Sequence, residues 1–585
     1  MRFSTILVMP LLLVILSTHL VDSVDTNSYG RSIRKTRSFV VEDHEFFRLL
    51  KEFGSKYTEI RRNHDELRSR RDSFEKESKP MSPTLESYYQ LYAGDLLDKY
   101  QDTSSPLFEA HKILQDIFQN SSPEKIDRML REVNFAKMCD THLSLSQAVS
   151  KLLEDLAWGS RLCEEIMRMS LYILTGKDPE DTKDHYARQI TRWYNETISI
   201  VKPVLSNLPR QLYTCGLPGS YDEAHSIELK VFSKFFVRMC NDHDTPDKLK
   251  CAPITQTEEC PGTEANTICG ISQPCGGELR GCQTLNDSIR EVCVSDHLGE
   301  HRYSYYTSSA RPLKTESTDR DCHKRDLQET EHWNSLDIWF LSFKKEKRTC
   351  SSCDCTCEEG EYFINTAPVH SEVSKNRVVT GAKFMLNHNV LELFIQQAEL
   401  LPNGEIYDET HWIGPKTKML HKVSWNGARK FLLSPTMIPQ NHVLTGLSLH
   451  YKMANDTSNQ SSYVFLRTHS CGFDYASGDL IPDQVGIGNL QSSLPHMDVD
   501  LQDLTSPKTS EMDHEEFIQN DAWITLSTSN GVDGGQSTVP FFDGQEVTSG
   551  KLSPLSGAGL YYKGKKGWAG YIGIELYTFN ISHFI

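Results

Sequence analysis

The segment "CSSCDCTCEEG", residues 350–360, places four cysteines within eight positions. Thiols at such spacing can hold a soft metal, exchange electrons or close disulfides. Cysteine zinc sites are built from paired C-x2-C knuckles, and the upstream spacings "CAPITQTEEC" and "CGGELRGC" do not repeat in that way. Eleven of the sixteen cysteines lie close together: Cys251, Cys260, Cys269, Cys275, Cys282, Cys293, Cys322, Cys350, Cys353, Cys355 and Cys357. They fall in a Gly-, Pro-, Ser- and Thr-rich stretch of little periodicity, which predicts a loop-rich module stapled by disulfides. Cys353, Cys355 and Cys357 alternate, and in an extended chain such neighbours stand near the upper limit for an unstrained bridge. Each is therefore expected to reach a distant partner. Every link of this kind stabilises by about 2–4 kcal/mol.

The other cysteines give a sharper expectation. Cys139, Cys163, Cys215 and Cys240 are even in number and stand in or beside helical sequence, so two bridges are expected there. Eleven is odd, so full oxidation within one chain would join Cys471 to the module; the alternative is a free or intermolecular Cys471.

Other chemistry is not written in the chain. No Gly-x-Ser-x-Gly elbow is present, and "HEFFR" at His44 and "HEEFI" at His514 each lack the second histidine of a zinc protease. Gly557, Gly559 and Gly564 do not follow dinucleotide spacing. Asp498, Asp500 and Asp503 could offer oxygens to calcium, but the glycine turn and closing glutamate of a calcium loop are missing, so a solvated connection is the reading. No catalytic, cofactor-binding or metal residue is predicted.

The N-terminus reads as an export signal. Arg2 precedes an apolar run from Ile6 to Leu16, and Val21 and Ser23 mark a cut after Ser23. Eleven apolar residues fall short of the roughly 20 needed to cross a bilayer, so a secreted chain without a transmembrane anchor is expected. Asn120, Asn195, Asn286, Asn455, Asn459 and Asn580 head glycosylation sequons. Residues 24–40 read as a linker or pro-segment, with Arg34 to Arg37 a processing site for a basic-specific protease. The formal charge of −17 argues against nucleic acid as a partner, and "RRNHDELRSRR" from Arg61 alternates with acids as a solvated helix face does.

The elements follow from periodicity. Residues 41–245 carry helical stripes such as Phe46, Leu49, Leu50, Phe53, Tyr57 and Ile60, and Leu145, Val149, Leu152, Leu153 and Leu156. Ser82-Pro83, Ser105-Pro106 and Ser122-Pro123 read as helix starts. The aromatic stripe Tyr88, Tyr89, Tyr92, Trp158, Trp193 and Tyr194 reads as core packing rather than a ligand pocket. Residues 246–360 form the cysteine-rich module. Residues 361–585 alternate as strands, with an acidic linker near 484–513. There "RVVTGAKFML" from Arg377 and "NHVLTGLSLHY" from Asn441 repeat one strand pair, and the Thr-Gly step predicts a bulge or close backbone approach. The expected class is α+β multidomain: an N-terminal helical bundle, a disulfide-rich middle module and a C-terminal antiparallel β-sandwich or β-prism. Tyr561, Tyr562, Trp568 and Tyr571 are the candidate ligand contacts of the β domain, set against the usual role of strand aromatics as core.

"CSSCDCTC", the paired "RVVTGAKF" and "HVLTGLSLHY", and "STVPFFDGQEV" with "PLSGAGLYYKGKKGWAGYIG" resemble an arthropod family of secreted proteins catalogued as a domain of unknown function. The similarity covers roughly residues 81–585. It implies no catalytic residues, and it points to insect cuticle and other extracellular matrix. The function expected is therefore a secreted non-catalytic glycoprotein that binds a matrix component, a glycan or a secreted protein. The alternatives are a lectin-like or lipid carrier, and a secreted enzyme without a recognisable motif.

Overall fold

A computed structural model describes residues 40–76, 83–101, 105–119, 143–176, 183–214, 222–241, 275–284, 289–295, 302–308, 322–326, 332–337, 342–347, 349–453, 461–490, 497–501, 504–508, 516–519, 521–530, 533–565 and 567–583. The signal, the processing site, Ser122-Pro123 and Asp503 lie outside these residues. The fold is α+β, and the chain divides into two compact units. One gathers the helices with residues 580–583. The other spans residues 211–579, so the strands after the last helix belong with the β region and not with a helical domain ending at 245.

Five helices are described in the first unit: α1 (Val40–Lys76), α2 (Pro83–Gln101), α3 (Pro106–Gln119), α4 (Leu145–Thr175) and α5 (Lys183–Asn207). Two starts fall where serine-proline steps predicted them. At α3, Ser105 Oγ accepts from the Phe108 amide at 3.1 Å. The start of α4 was not anticipated: Ser144 Oγ accepts from the Gln147 amide at 3.2 Å while Gln147 Oε1 accepts from the Ser144 amide at 3.0 Å, a reciprocal cap. Gly176 ends α4 at φ 66°, a left-handed turn that glycine adopts without strain. Ser144→Ala is expected to cost about 1 kcal/mol in urea denaturation followed by helical circular dichroism.

The two apolar stripes meet inside this unit, where Phe53, Ile60, Val149, Leu153 and Leu156 are buried in one cluster. The aromatic stripe divides. Trp193 is core, whereas Tyr88 and Trp158 are exposed, and the Arg70 guanidinium stacks 3.9 Å from the Tyr92 ring centre. Cys163 is buried and free, which overturns two bridges drawn from the first four cysteines; burial holds its thiol far above the usual pKa. Cys240 sits on a strand of the other unit, and Cys139 and Cys215 lie outside the described residues.

The second unit repeats one strand pattern three times. Each repeat runs short strand, short strand, long antiparallel hairpin. Phe363–Asn365 and Val369–His370 precede the hairpin of Arg377–Asn387 and Val390–Glu399. Lys430–Leu433 and Thr436–Met437 precede His442–Lys452 and Tyr463–Phe473. Phe541–Asp543 and Val547–Thr548 precede Leu555–Lys565 and Trp568–Thr578. The leading short strand pairs in parallel with the second strand of its own hairpin in every repeat. The other short strand crosses to the next repeat: Val369–His370 pairs with the second hairpin, Thr436–Met437 with the third, and Val547–Thr548 with the first. The exchange closes on itself, so each of three sheets is completed by a strand from its neighbour.

Register explains the Thr-Gly step. Gly446 faces His370, Gly557 faces Met437 and Gly381 faces Thr548, each one step past a bulge. A Cβ there would lie 2.7 Å from the Val369 carbonyl, 3.0 Å from that of Thr436 or 2.9 Å from that of Val547. Glycine is required by the close approach of the crossing strand. The sequence showed two copies of this step; the third, Ser556-Gly557, is hidden by serine in place of threonine and by a glycine-rich strand.

The inward faces of the three hairpins share one core, with Phe384, Leu393, Leu447, Leu466, Leu560 and Ile574 in a single cluster. The region expected as an acidic linker is partly sheet: Leu480–Ile487 pairs with the second hairpin, and residues 497–501 run beside Trp523.

Candidate functional site

The cysteine question is settled by the strand Thr349–Glu358, which lies between Phe232–Asn241 and Glu278–Thr284. Cys357 bonds Cys275 and Cys355 bonds Cys282, across sequence separations of 82 and 73, and Cys293 and Cys353 are also in disulfides. Cys355 and Cys357 thus reach distant partners, as expected. Among the described residues the one grouping with metal-ligand geometry is Cys275, Cys357 and Glu359, and its two sulfurs are one disulfide. Beside it, buried Arg302 donates to Glu359 Oε1 at 3.0 Å and to Ser233 Oγ at 3.1 Å. Burial works to raise the Glu359 carboxyl, but the Gly276 amide and Arg302 outweigh it and hold the pKa below the usual range. Cys471 is buried and free, with its thiol donating to the Ile481 carbonyl at 3.0 Å, so no disulfide ties it to the module.

Each of the three sheets has an outward face, and they differ in what they offer a ligand. The third is closed: Tyr561, Tyr562, Tyr571 and Trp568 are all buried. The expectation that these aromatics form an exposed contact surface fails because both faces of that hairpin are covered. Tyr562 points into the shared core, and Tyr561 packs against Tyr213 with its hydroxyl at 3.2 Å from Thr214 Oγ1. This face also holds a dry ion pair, Lys563 Nζ to Asp543 Oδ2 at 2.6 Å. On the first sheet, Lys383 lies 4.3 Å from the Trp412 ring centre and pairs with Glu546 at 2.8 Å. Its cation is neutralised.

The second sheet is different. Successive outward positions of its hairpin carry His469, Arg467, Phe465 and Tyr463 on one strand, and Ser448, His450 and Lys452 on the other. Pairing sets Ser448 opposite Arg467, His450 opposite Phe465, and Lys452 opposite Tyr463. His370 arrives on the crossing strand opposite Gly446, and the missing side chain there lets its ring meet that of His469 at 4.8 Å. Ser448 Oγ lies 3.1 Å from His469 Nε2, the His450 ring packs on Phe465 at 5.2 Å, and the Arg467 guanidinium lies 5.5 Å from the Phe465 ring centre. His370 and Lys452 are exposed; Arg467, His450 and His469 are half-buried.

The electrostatics of this face run one way. Loss of water around the ring lowers the pKa of His370, although its residue is exposed overall, and of half-buried His421. Burial lowers that of His450 too, helped by the charges of Arg467, His421 and Lys452. His469 is pushed down to about 4, first by burial and then by His370, Arg467 and His450. Arg467 makes no ion pair or hydrogen bond with the described residues. On the strand that adjoins the hairpin, Lys430 pairs with Asp498 at 3.5 Å. None of these residues stood out in the sequence, because the histidines come from four separate strands and converge only in the fold.

Of the sequons, Asn195 is exposed on α5, and Asn580 Oδ1 accepts from the Ser582 amide at 3.1 Å; the other four lie outside the described residues. No described helix is long and apolar enough to cross a membrane.

These features define a disulfide-stapled α+β protein whose β unit is closed by strand exchange. Residues 136–395 match the family described as a domain of unknown function, DUF4803, a segment that ends within the first hairpin. The resemblance to a domain of unknown function therefore holds over that segment. No curated protein matches the chain.

Proposed function

We propose that this chain is a secreted, non-catalytic glycoprotein that acts by binding in an extracellular matrix such as cuticle. Its helices form a bundle, and its β unit is a β-prism whose three sheets are the faces. The observation that carries the reading is the contrast between those faces. One is covered, one has its cation matched by Glu546, and the second presents Arg467, Lys452 and a run of imidazoles with no facing carboxylate among the described residues. A half-buried cation such as Arg467, held without an internal ionic partner, is organised for an external one. The disulfides fit an oxidising compartment. The test is retention of the full-length secreted protein on chitin, on cuticle matrix and on a glycan panel. Arg467→Gln should weaken retention, whereas Lys383→Gln on the first sheet should leave it unchanged. Loss of neither, or bound lipid that co-purifies in place of matrix binding, would favour a carrier.

A further inference from the structure

We infer that the outward face of the second sheet is a proton-linked site for a linear acidic polysaccharide, one bearing sulfate or carboxylate groups along its length. The inference rests on the matrix-binding reading above and adds the ligand class and its control by pH.

Geometry selects a linear ligand. The cationic and imidazole groups do not converge on one point, as they would around a single phosphate. They are spread along the hairpin: His370 with His469 at one end, then Arg467, then His450, then Lys452. Outward positions on one strand recur at roughly 6.5–7 Å, so the run extends about 20 Å. A repeating anion can meet such groups in turn. Pyranose rings also have apolar faces that suit half-buried Trp523, over which Lys430 stands at 4.7 Å while paired with Asp498.

The proton linkage follows from what faces each imidazole. His469 sees His370 from the crossing strand, Ser448 and His450 from the partner strand, Arg467 on its own strand, and Ile487 opposite it on the neighbouring strand. His450 sees Arg467 and Lys452, and His421 from the adjoining Leu420–Lys422 strand, itself packed on Tyr451. Every charged group among these is positive. Burial first, and these positive neighbours second for His450 and His469, keep the imidazoles neutral below their usual range in the unliganded protein, which leaves Arg467 and Lys452 as the standing charges at neutral pH. An anion laid across the face offsets both the burial cost and the positive neighbours that hold the protons off, so its binding takes up protons and strengthens as pH falls.

Isothermal titration of the full-length protein decides this, at pH 7.5 and 5.0 and constant ionic strength, in buffers of different ionisation enthalpy to count protons. The probes are a heparin-derived oligosaccharide, a polygalacturonate oligomer, a neutral chitin oligomer and a single-stranded oligonucleotide. Affinity for the sulfated or the carboxylated probe should rise at least about tenfold at pH 5.0, with net proton uptake; which of the two binds identifies the anionic group. The double variant His450→Gln, His469→Gln should lose the pH dependence while keeping neutral-pH binding, and Arg467→Gln should weaken binding at both pH values. Melting curves of each variant check that it is folded. A pH response that survives in the double variant would assign the effect to the falling net negative charge of the whole chain and overturn the proposal. So would equal affinity at both pH values, or an oligonucleotide preferred over both glycans. Binding of the neutral chitin oligomer alone would refute this inference and leave the matrix reading standing; absence of any glycan or matrix binding would sink both.

Discussion

Asp543→Ala should destabilise the β unit by about 3–5 kcal/mol, because it strands a charge that water does not reach. The Lys563 side chain is 1% exposed and that of Asp543 2%. The carboxylate accepts from Lys563 Nζ at 2.6 Å, from Thr214 Oγ1 at 2.6 Å and from the Gln545 amide at 3.0 Å. Without it the ammonium has lost its carboxylate, while the Thr214 hydroxyl lies 3.4 Å away. Lys563→Met should cost less, since the carboxylate retains the Thr214 and Gln545 donors. The double variant Asp543→Leu, Lys563→Met should return close to the parent, as buried pairs often do when replaced by apolar residues of similar size. Urea denaturation followed by tryptophan fluorescence reads all three. A loss under about 1 kcal/mol for Asp543→Ala would mean that water enters the third face.

Phe542→Ala should cost a similar amount, about 3–5 kcal/mol, by opening a cavity where the repeats meet. Phe542 is 1% exposed, and its ring lies 5.5 Å from that of Phe384 in the first repeat and 5.3 Å from that of Phe431 in the second. Ile364, Phe431 and Phe542 occupy equivalent inward positions on the three leading short strands. One vacancy therefore loosens all three hairpins. Denaturation of the variant should remain a single transition for the β unit at a lower midpoint, because the crossing strands leave no repeat that can melt alone. Separate transitions for the repeats would contradict the closed exchange. Phe542→Leu, which keeps most of the volume, should cost less than half as much.

The histidine face and these two sites differ in how much of them the sequence disclosed. The disulfide function of "CSSCDCTC" was legible, because alternating cysteines in a strand cannot pair with one another and must look far along the chain. The helix starts at Pro83 and Ser105 and the bulge at each Thr-Gly were legible too, since capping and bulges are settled by a few adjacent residues. Ser144 was missed although its capping box is local. The free Cys163 was not legible, and a free Cys471 stood only as the alternative: counting cysteines presumes that every one can reach a partner, and both are walled into apolar clusters.

What the sequence by itself determined is local: where helices begin, where strands alternate, that the middle of the chain is cross-linked, and that one strand pair recurs. Only the tertiary structure decided which faces of the three sheets are covered. Alternation shows that a strand has two sides, but it does not show what lies over the second. Tyr561, Tyr571 and Trp568 look from the sequence like candidates for contact and are sealed in, while His370, His450, Arg467 and His469, scattered over some hundred residues, are drawn onto one open face by strand pairing. Register brings such residues together, and register is set by the closure of the three repeats as a whole.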